Sequence, residues 1–502
     1  MTDTLLTAQV WPVLSIALPL GLALLAVCLP RAARLLLVPA MLGMLVLAAG
    51  MAVHVWRGGP MRVQIGGWDA PLGIALVVEG LSGAFVLTAA IVMAAVMWQA
   101  RSDFPVQRGK ETRAAFAFWP LTWFLWAALT AVFLSGDLFN LYVGLELLTL
   151  GAIALVAIDG KPPTVAAAIR YALFALPGSL LYLLGTALLY AAHGTLDIAL
   201  LGERIGEPDA ATLAAGALMT AGLAAKTALF PFHAWLPPAH AGAPAPASAM
   251  LSALVPKASF YIVLRLWFDV MPQAAGAWMP QLLGAMGAMA IVYGSVLAVR
   301  QDRLKLLIAY STVAQIGYLF LLFPLAGGGG PAQPWYAGAW TGGVFHALSH
   351  ASAKAAMFLC AGLFVQAIGH DRISGLQGIA RTMPMTTFAF ALAAVSLMGL
   401  PPSGGFISKY LMLTAAFAGG QIVWAVFMLL GGLLAAMYLF RPLTLAFAKG
   451  GIESSDLQVV KRGRQVVPVL LAATAILLGI ASALPYDFLQ IGRPVAADEG
   501  LG

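Results

Sequence analysis

Apolar residues run in long stretches, one after another, with the polar positions gathered into short joints. Stretches long enough to cross a ~30 Å hydrocarbon core fall at about fourteen places. They lie near 10–29, 33–55, 72–98, 114–135, 138–158, 165–192, 211–236, 245–268, 279–299, 304–323, 335–367, 385–412, 421–447 and 466–486. The pattern predicts an all-α polytopic membrane protein, one membrane domain over 1–502 with no soluble appendage. The first stretch follows an acidic start at Asp3, has no small-residue cleavage site and runs straight into the second. It therefore reads as a retained span and not as a signal peptide.

Composition agrees with this reading. The chain is 61% hydrophobic and 9% charged, where soluble domains carry roughly 25% charged residues, and its mean hydropathy is +0.92. A net charge of +7 would suit a nucleic-acid partner, but the basic residues sit in short loops and not on amphipathic stretches. They sort by side instead. Arg31, Arg34, Arg101, Arg108, Lys110, Arg113, Lys161, Arg300, Arg303, Arg372 and Arg462 follow odd-numbered spans, against Arg57, Arg62 and Arg204 on the other side. The positive-inside rule then makes the richer side cytoplasmic and puts both termini outside, as expected for a bacterial cytoplasmic membrane. Cys28 and Cys360 lie far apart in apolar runs, which supports neither a disulfide framework nor a Cys-rich metal site. No G-x-G-x-x-G turn follows a strand, so no NAD, flavin or iron–sulfur centre is expected in this chain. The run "AGGGGP" at 326–331 reads as a flexible outer linker.

The charges that remain inside apolar stretches carry the chemistry. Lys226, Lys257, Arg265, Lys354 and Lys409 cannot be assigned to loops, and a Lys or Arg at a bilayer centre costs ~2.5–3.5 kcal/mol. Glu146 is the carboxylate within the fifth stretch, with Tyr142, Val143, Thr149 and Leu150 one turn away. It is either a packing hydrogen bond between helices or the partner of Lys226. Pro231 follows Lys226 and must bend or split its helix; freed backbone groups are tolerated in a membrane only against protein or water. Pro256, immediately before Lys257, repeats the device, and Arg265 eight residues on either belongs to the same chemistry or snorkels. His346, His350 and Lys354 stand at i, i+4 and i+8 on one helix face. Without an acidic or sulfur ligand they suggest a hydrated polar stripe in preference to zinc, or, more blandly, hydrogen bonds between helices. "GLPPSGG", with Pro401 and Pro402, opens the twelfth stretch just before Lys409.

Spans 7 and 12 are thus both expected to be broken beside a lysine. Taking spans 4–8 and 9–13 as two five-helix blocks, each break stands in the fourth position, and blocks of odd span number enter the membrane inverted. Such pairs point to a transport path between inverted repeats. The expected divisions are N-terminal helices over 1–110, a first repeat over 111–270, a second over 271–450, and a last helix with a short tail over 451–502.

Five segments, "LYVGLELL", "KTALFPFHAWLPPAH", "RLKLLIAYSTVAQIGY", "FHALSHASAKAAMFLCAG" and "GLPPSGGFISKYL", resemble, in this order, the antiporter-like subunits of respiratory complex I, membrane-bound hydrogenases and Mrp-type sodium/proton antiporters, in the last case the D-type chain. The resemblance spans roughly 75–450. It implies proton translocation along a hydrated axis of Glu146, Lys226, Lys257, His346, His350, Lys354 and Lys409, supported by His233, His240 and Gln315. It also implies other membrane subunits as partners and, in the redox-driven branch, peripheral subunits with flavin and iron–sulfur clusters. Protons are the expected cargo, sodium an alternative one. The chain departs from the family at Pro238, where the turn often has an acid, and at Gln315, where some members have histidine. The short segment after span 14 excludes the long lateral helix of one complex I subunit. The rival readings are a stand-alone solute carrier with broken helices and a non-transporting scaffold.

Overall fold

The computed structural model describes residues 2–105, 112–273, 276, 278–327, 334–450 and 458–493. Arg108, Lys110 and most of the 326–331 glycine run lie outside them. Eighteen α-helices follow in chain order among the described residues. The early ones are α1 (Thr2–Cys28), α2 (Pro30–Gly58), α3 (Gly80–Ala100), α4 (Arg113–Leu134), α5 (Leu138–Val156) and α6 (Pro162–His193). After the short α7 (Ile198–Arg204) come α8 (Ala210–Thr227), α9 (Leu236–Gly242), α10 (Ala245–Arg265), α11 (Trp278–Val299), α12 (Leu304–Gly327) and α13 (Pro334–Ile368). The series closes with α14 (Pro384–Met398), α15 (Gly404–Ala418), α16 (Ile422–Phe447), α17 (Arg462–Ile480) and α18 (Ala483–Gln490). Thirteen stretches are long and apolar enough to cross a membrane, with α14 a shorter apolar helix. The chain is a polytopic integral membrane protein.

The helix ends follow from local chemistry. Asp137 caps α5 by accepting from Asn140 N at 2.8 Å, and Ser403 caps α15 by accepting from Phe406 N at 3.1 Å. Such caps satisfy amide groups that a helix start leaves without partners. Spans 7 and 12 are interrupted as expected. The helix of span 7 ends at Thr227, Ala228 takes a left-handed φ of 59°, and a 3₁₀ turn over Phe232–Trp235 leads into α9. Span 12 divides into α14 and α15 around residues 399–403.

Two expectations fail. Span 3 does not begin at 72: Ala75–Val78 forms a strand, β2, antiparallel to β1 (Met61–Gln64), with Met61 opposite Val78. A single charged residue, Glu79, separates the strand from α3, too little for hydropathy averaged over a span to mark the change, whereas β-branched Ile74, Val77 and Val78 favour a strand. Nor does Pro256 break its helix, because α10 runs through it. A proline removes one amide donor, which a packed membrane helix absorbs when its neighbours satisfy the freed group; at Pro231 the backbone has already left helical space at Ala228.

The chain forms two compact units. Among the described residues the first holds the chain up to Thr227, with 254–273 and 485–493; the second holds 228–253 and 278–484. In the first unit, α6 packs on α8, α1 on α4 and α4 on α5. In the second, α11 packs on α12, and α13 is surrounded by α12, α14, α15 and α17.

Candidate functional site

In the first unit, a buried ion pair joins α5 to α8. Lys226 Nζ lies 3.0 Å from Glu146 Oε1 and donates to Thr149 Oγ1 at 2.7 Å. Ser179 of α6 donates its hydroxyl to the same carboxylate oxygen. The Lys226 side chain is 5% exposed and that of Glu146 20%. Close approach of α6 and α8 makes this geometry: a Cβ added at Gly222 would stand 2.2 Å from Gly178 O. Gly222 lies one turn before Lys226 and Gly178 adjoins Ser179, so two glycines bring the lysine and the hydroxyl to one carboxylate. Lys226 also occupies the last turn of α8, where the helix dipole favours a cation.

Lys257 is buried at 1% exposure within α10. Next to the two lysines, Thr227 Oγ1 and Ser259 Oγ meet at 3.0 Å and tie α8 to α10. Arg265 does not snorkel. It is 7% exposed and pairs with Glu79 at 2.5 Å and with Asp269 at 2.6 Å, while donating to Tyr261 Oη at 2.9 and 3.1 Å. A buried guanidinium needs such compensation.

In the second unit, His346, His350 and Lys354 line one face of the continuous α13, each at most 1% exposed. The two imidazoles stack at 5.7 Å. Lys354 Nζ donates to Ile308 O at 3.0 Å and to the Ser311 hydroxyl. Tyr318 joins this stripe to Lys409, with its ring 5.4 Å from that of His346 and Lys409 Nζ 4.3 Å over it. The break between α14 and α15 holds Lys409 in place, because the lysine donates to the freed carbonyls of Leu397 and Met398 at 2.8 and 3.3 Å. Gln315 Nε2 donates to the same Leu397 O at 3.1 Å. Gly399, left-handed at φ 82°, leaves room for the lysine: a Cβ there would lie 2.6 Å from Lys409 Cδ. His233 and His240 follow the other break and are buried, against Tyr293 at 4.8 Å and Phe358 at 5.1 Å respectively.

The structure thus brings Glu146 to Lys226, and His346 and His350 through Tyr318 to Lys409. Sequence reasoning missed Ser179, Tyr318, Glu79 and Asp269. Tyr318 closes one of the family-like segments and was open to notice. Glu79 was hidden inside a misplaced span, and a serine in a small-residue stretch carries no signal of its own. Among the described residues, no group of three or more His, Cys, Asp or Glu is placed to hold a metal.

The family described as NADH:quinone oxidoreductase/Mrp antiporter, transmembrane, matches residues 135–435. NADH-quinone oxidoreductase subunit N of Desulforudis audaxviator is 37% identical over 455 residues, 88% of this chain and 87% of that protein. The D-type chain of the Na(+)/H(+) antiporter of Alkalihalophilus pseudofirmus is 29% identical over 460 residues, covering 91% and 90%. A chain of the archaeal membrane-bound sulfane sulfur reductase superposes with a TM-score of 0.85 at 28% identity, over 97% of each chain.

Proposed function

Because this chain belongs to the NADH:quinone oxidoreductase/Mrp antiporter transmembrane family, we propose that it is the proton-translocating membrane subunit of a larger complex, with the Glu146–Lys226 pair as its gate. The observation that carries the reading is the 3.0 Å contact between a carboxylate and an almost fully buried lysine, one residue from a helix end. With the pair closed, the carboxylate stabilises the ammonium; with Glu146 drawn away, that stabilisation is lost and the proton is free to leave. Two unit charges 4 Å apart attract by about 4 kcal/mol at an effective dielectric of ~20. Moving one charge against about 150 mV takes ~3.5 kcal/mol. The magnitudes match, so opening one ion pair suffices to gate one proton.

Lys257, His346, His350, Lys354 and Lys409 then act as successive carriers, with Gln315 as a hydrogen-bonding link that does not titrate. The partners are other membrane subunits. In a redox-driven assembly, peripheral subunits hold the flavin and iron–sulfur centres; in an antiporter assembly, sodium is the counter-cargo. The higher identity to a quinone oxidoreductase subunit favours the first. The location that fits is a bacterial cytoplasmic membrane with both termini outside, because the basic loops follow odd-numbered spans.

The test is proton translocation by the reconstituted complex. Lys226→Ala and Glu146→Ala are each expected to abolish it while leaving assembly intact. Translocation above half of wild type in either variant would remove the pair from the mechanism.

A further inference from the structure

In the second unit, α12 packs against α16 beside the lysines of the transport axis. Ser311, Gln315 and Tyr318 follow one another at one-turn steps on one face of α12, and Gly431, Ala435 and Tyr438 do so on α16. The small residues let the helices close up: a Cβ at Gly431 would strike the Tyr318 hydroxyl. Tyr318 spends that hydroxyl on Met428 O at 2.8 Å. Tyr438 does not spend its own. Its Oη faces the Ser311 and Gln315 side chains, and all three residues are fully buried. Among the described residues, neither Tyr438 Oη nor Gln315 Oε1 has a hydrogen-bond partner. Each end of this cluster touches a lysine. Lys354 donates to the Ser311 hydroxyl, which itself donates to Ile308 O at 2.9 Å. Gln315 Nε2 and Lys409 Nζ share Leu397 O, at 3.1 and 2.8 Å. That carbonyl fixes the orientation of the amide and leaves Oε1 as an acceptor.

We propose that Tyr438 Oη and Gln315 Oε1 hold one buried water, and that Tyr438 relays protons through it between Lys354 and Lys409. A buried hydroxyl or carbonyl without a partner costs about 1–3 kcal/mol, and protein interiors meet such groups with ordered water bound by about two to four polar atoms. Ser311 and Gln315 lie four residues apart, ~6 Å along α12. That is about two hydrogen bonds of ~2.8 Å and too long for one, so a hydroxyl between them closes the distance. The transfer balances bond by bond. Lys354 gives a proton to Ser311 Oγ, whose own hydrogen swings from Ile308 O to Tyr438 Oη. Tyr438 passes its hydrogen to the water, and the water passes one to neutral Lys409. Lys354 ends neutral, Lys409 ends as the ammonium, and no oxygen stays ionised. Gln315 holds the water without titrating. The route rests on the reading of the two lysines as carriers, and it adds to them a residue of α16 that no charge in the sequence marks.

Three measurements on the reconstituted complex test it: proton translocation, the melting temperature, and an electron cryomicroscopy map that shows ordered water. Tyr438→Phe removes one oxygen and is expected to slow translocation about tenfold or more. Its melting temperature should be unchanged, since the lost hydroxyl has no protein partner. If it melts lower, Gln315→His in the same chain decides, because an imidazole both donates and accepts protons there: restored translocation supports the relay, and its absence overturns it. The wild-type map should show a density peak within hydrogen-bond distance of both Tyr438 Oη and Gln315 Oε1. A rate for Tyr438→Phe within about twofold of wild type, or a direct contact of the two side chains with no peak, would overturn the relay. Lys409→Arg measured alongside separates this failure from that of the function: if it blocks translocation while Tyr438→Phe does not, the relay falls and passage through Lys409 stands.

Discussion

Lys409 shows how a single side chain serves two demands at once. Its ammonium satisfies the Leu397 and Met398 carbonyls that the helix break frees, and it lies over the Tyr318 ring, which itself contacts His346. Charge alone would meet the first demand, and arginine supplies charge. Translocation also requires the charge to be shed, which a buried lysine can do and an arginine cannot. Lys409→Arg is therefore expected to assemble normally and to block proton release, and Lys409→Glu to retain part of it, since a carboxylate also titrates. Proton release by Lys409→Arg close to wild type would make this residue an anchor only. At this scale the sequence was legible at most charges that interrupt an apolar run: Glu146, Lys226, Lys257, Lys354 and Lys409 are found that way, though Glu79 was passed over, and the structure buries every one of the lysines. It was illegible where the partner is an ordinary polar residue, as with Ser179, or lies far along the chain, as with Glu79 against Arg265. The Arg265–Asp269 pair stands at i,i+4 and was open to notice, whereas the pairing of Arg265 with Glu79 arises only in the folded chain.

Among elements, the contact of α6 with α8 decides whether the site exists. A Cβ at Gly222 would meet Gly178 O at 2.2 Å, a distance no packed structure tolerates. Gly222→Leu should push the helices apart, destabilise the protein by about 1–3 kcal/mol, and uncouple Lys226 from Glu146. Gly21→Ala is the comparison: nothing lies within 4 Å of its added methyl, so thermal melting and translocation should match wild type. Similar losses from both substitutions would mean that glycine content, and not this crossing, sets stability. The broken helices were legible because proline and glycine act locally on the backbone, and "GLPPSGG" does divide its span. The β1–β2 hairpin was not, because only the single charged residue Glu79 separates Ala75–Val78 from α3. The unbroken α10 shows the converse limit, since Pro256 alone cannot reveal whether neighbours will satisfy the carbonyl it strands.

For the whole molecule, the sidedness of the basic loops is a physical claim that can be checked directly. Reporter fusions after Arg300 and after Arg462 should signal cytoplasm, and a fusion after Glu203 should signal the outside; the reverse pattern would overturn the orientation. The thirteen long apolar stretches and the family match establish a membrane subunit of this family, and the proposal that it moves protons rests on the electrostatics of one pair. Glu146→Gln isolates that term. The amide preserves the side chain's shape and can still accept from Ser179 and Lys226, so folding and assembly should be retained while the negative charge is gone. The decisive measurement is the rate of proton uptake into vesicles holding the reconstituted complex with this one substitution. An attraction of about 4 kcal/mol removed from the gate predicts a fall of at least about tenfold in that rate. A rate within about twofold of wild type would show that the hydrogen bonds suffice, and would contradict an ion-pair gate.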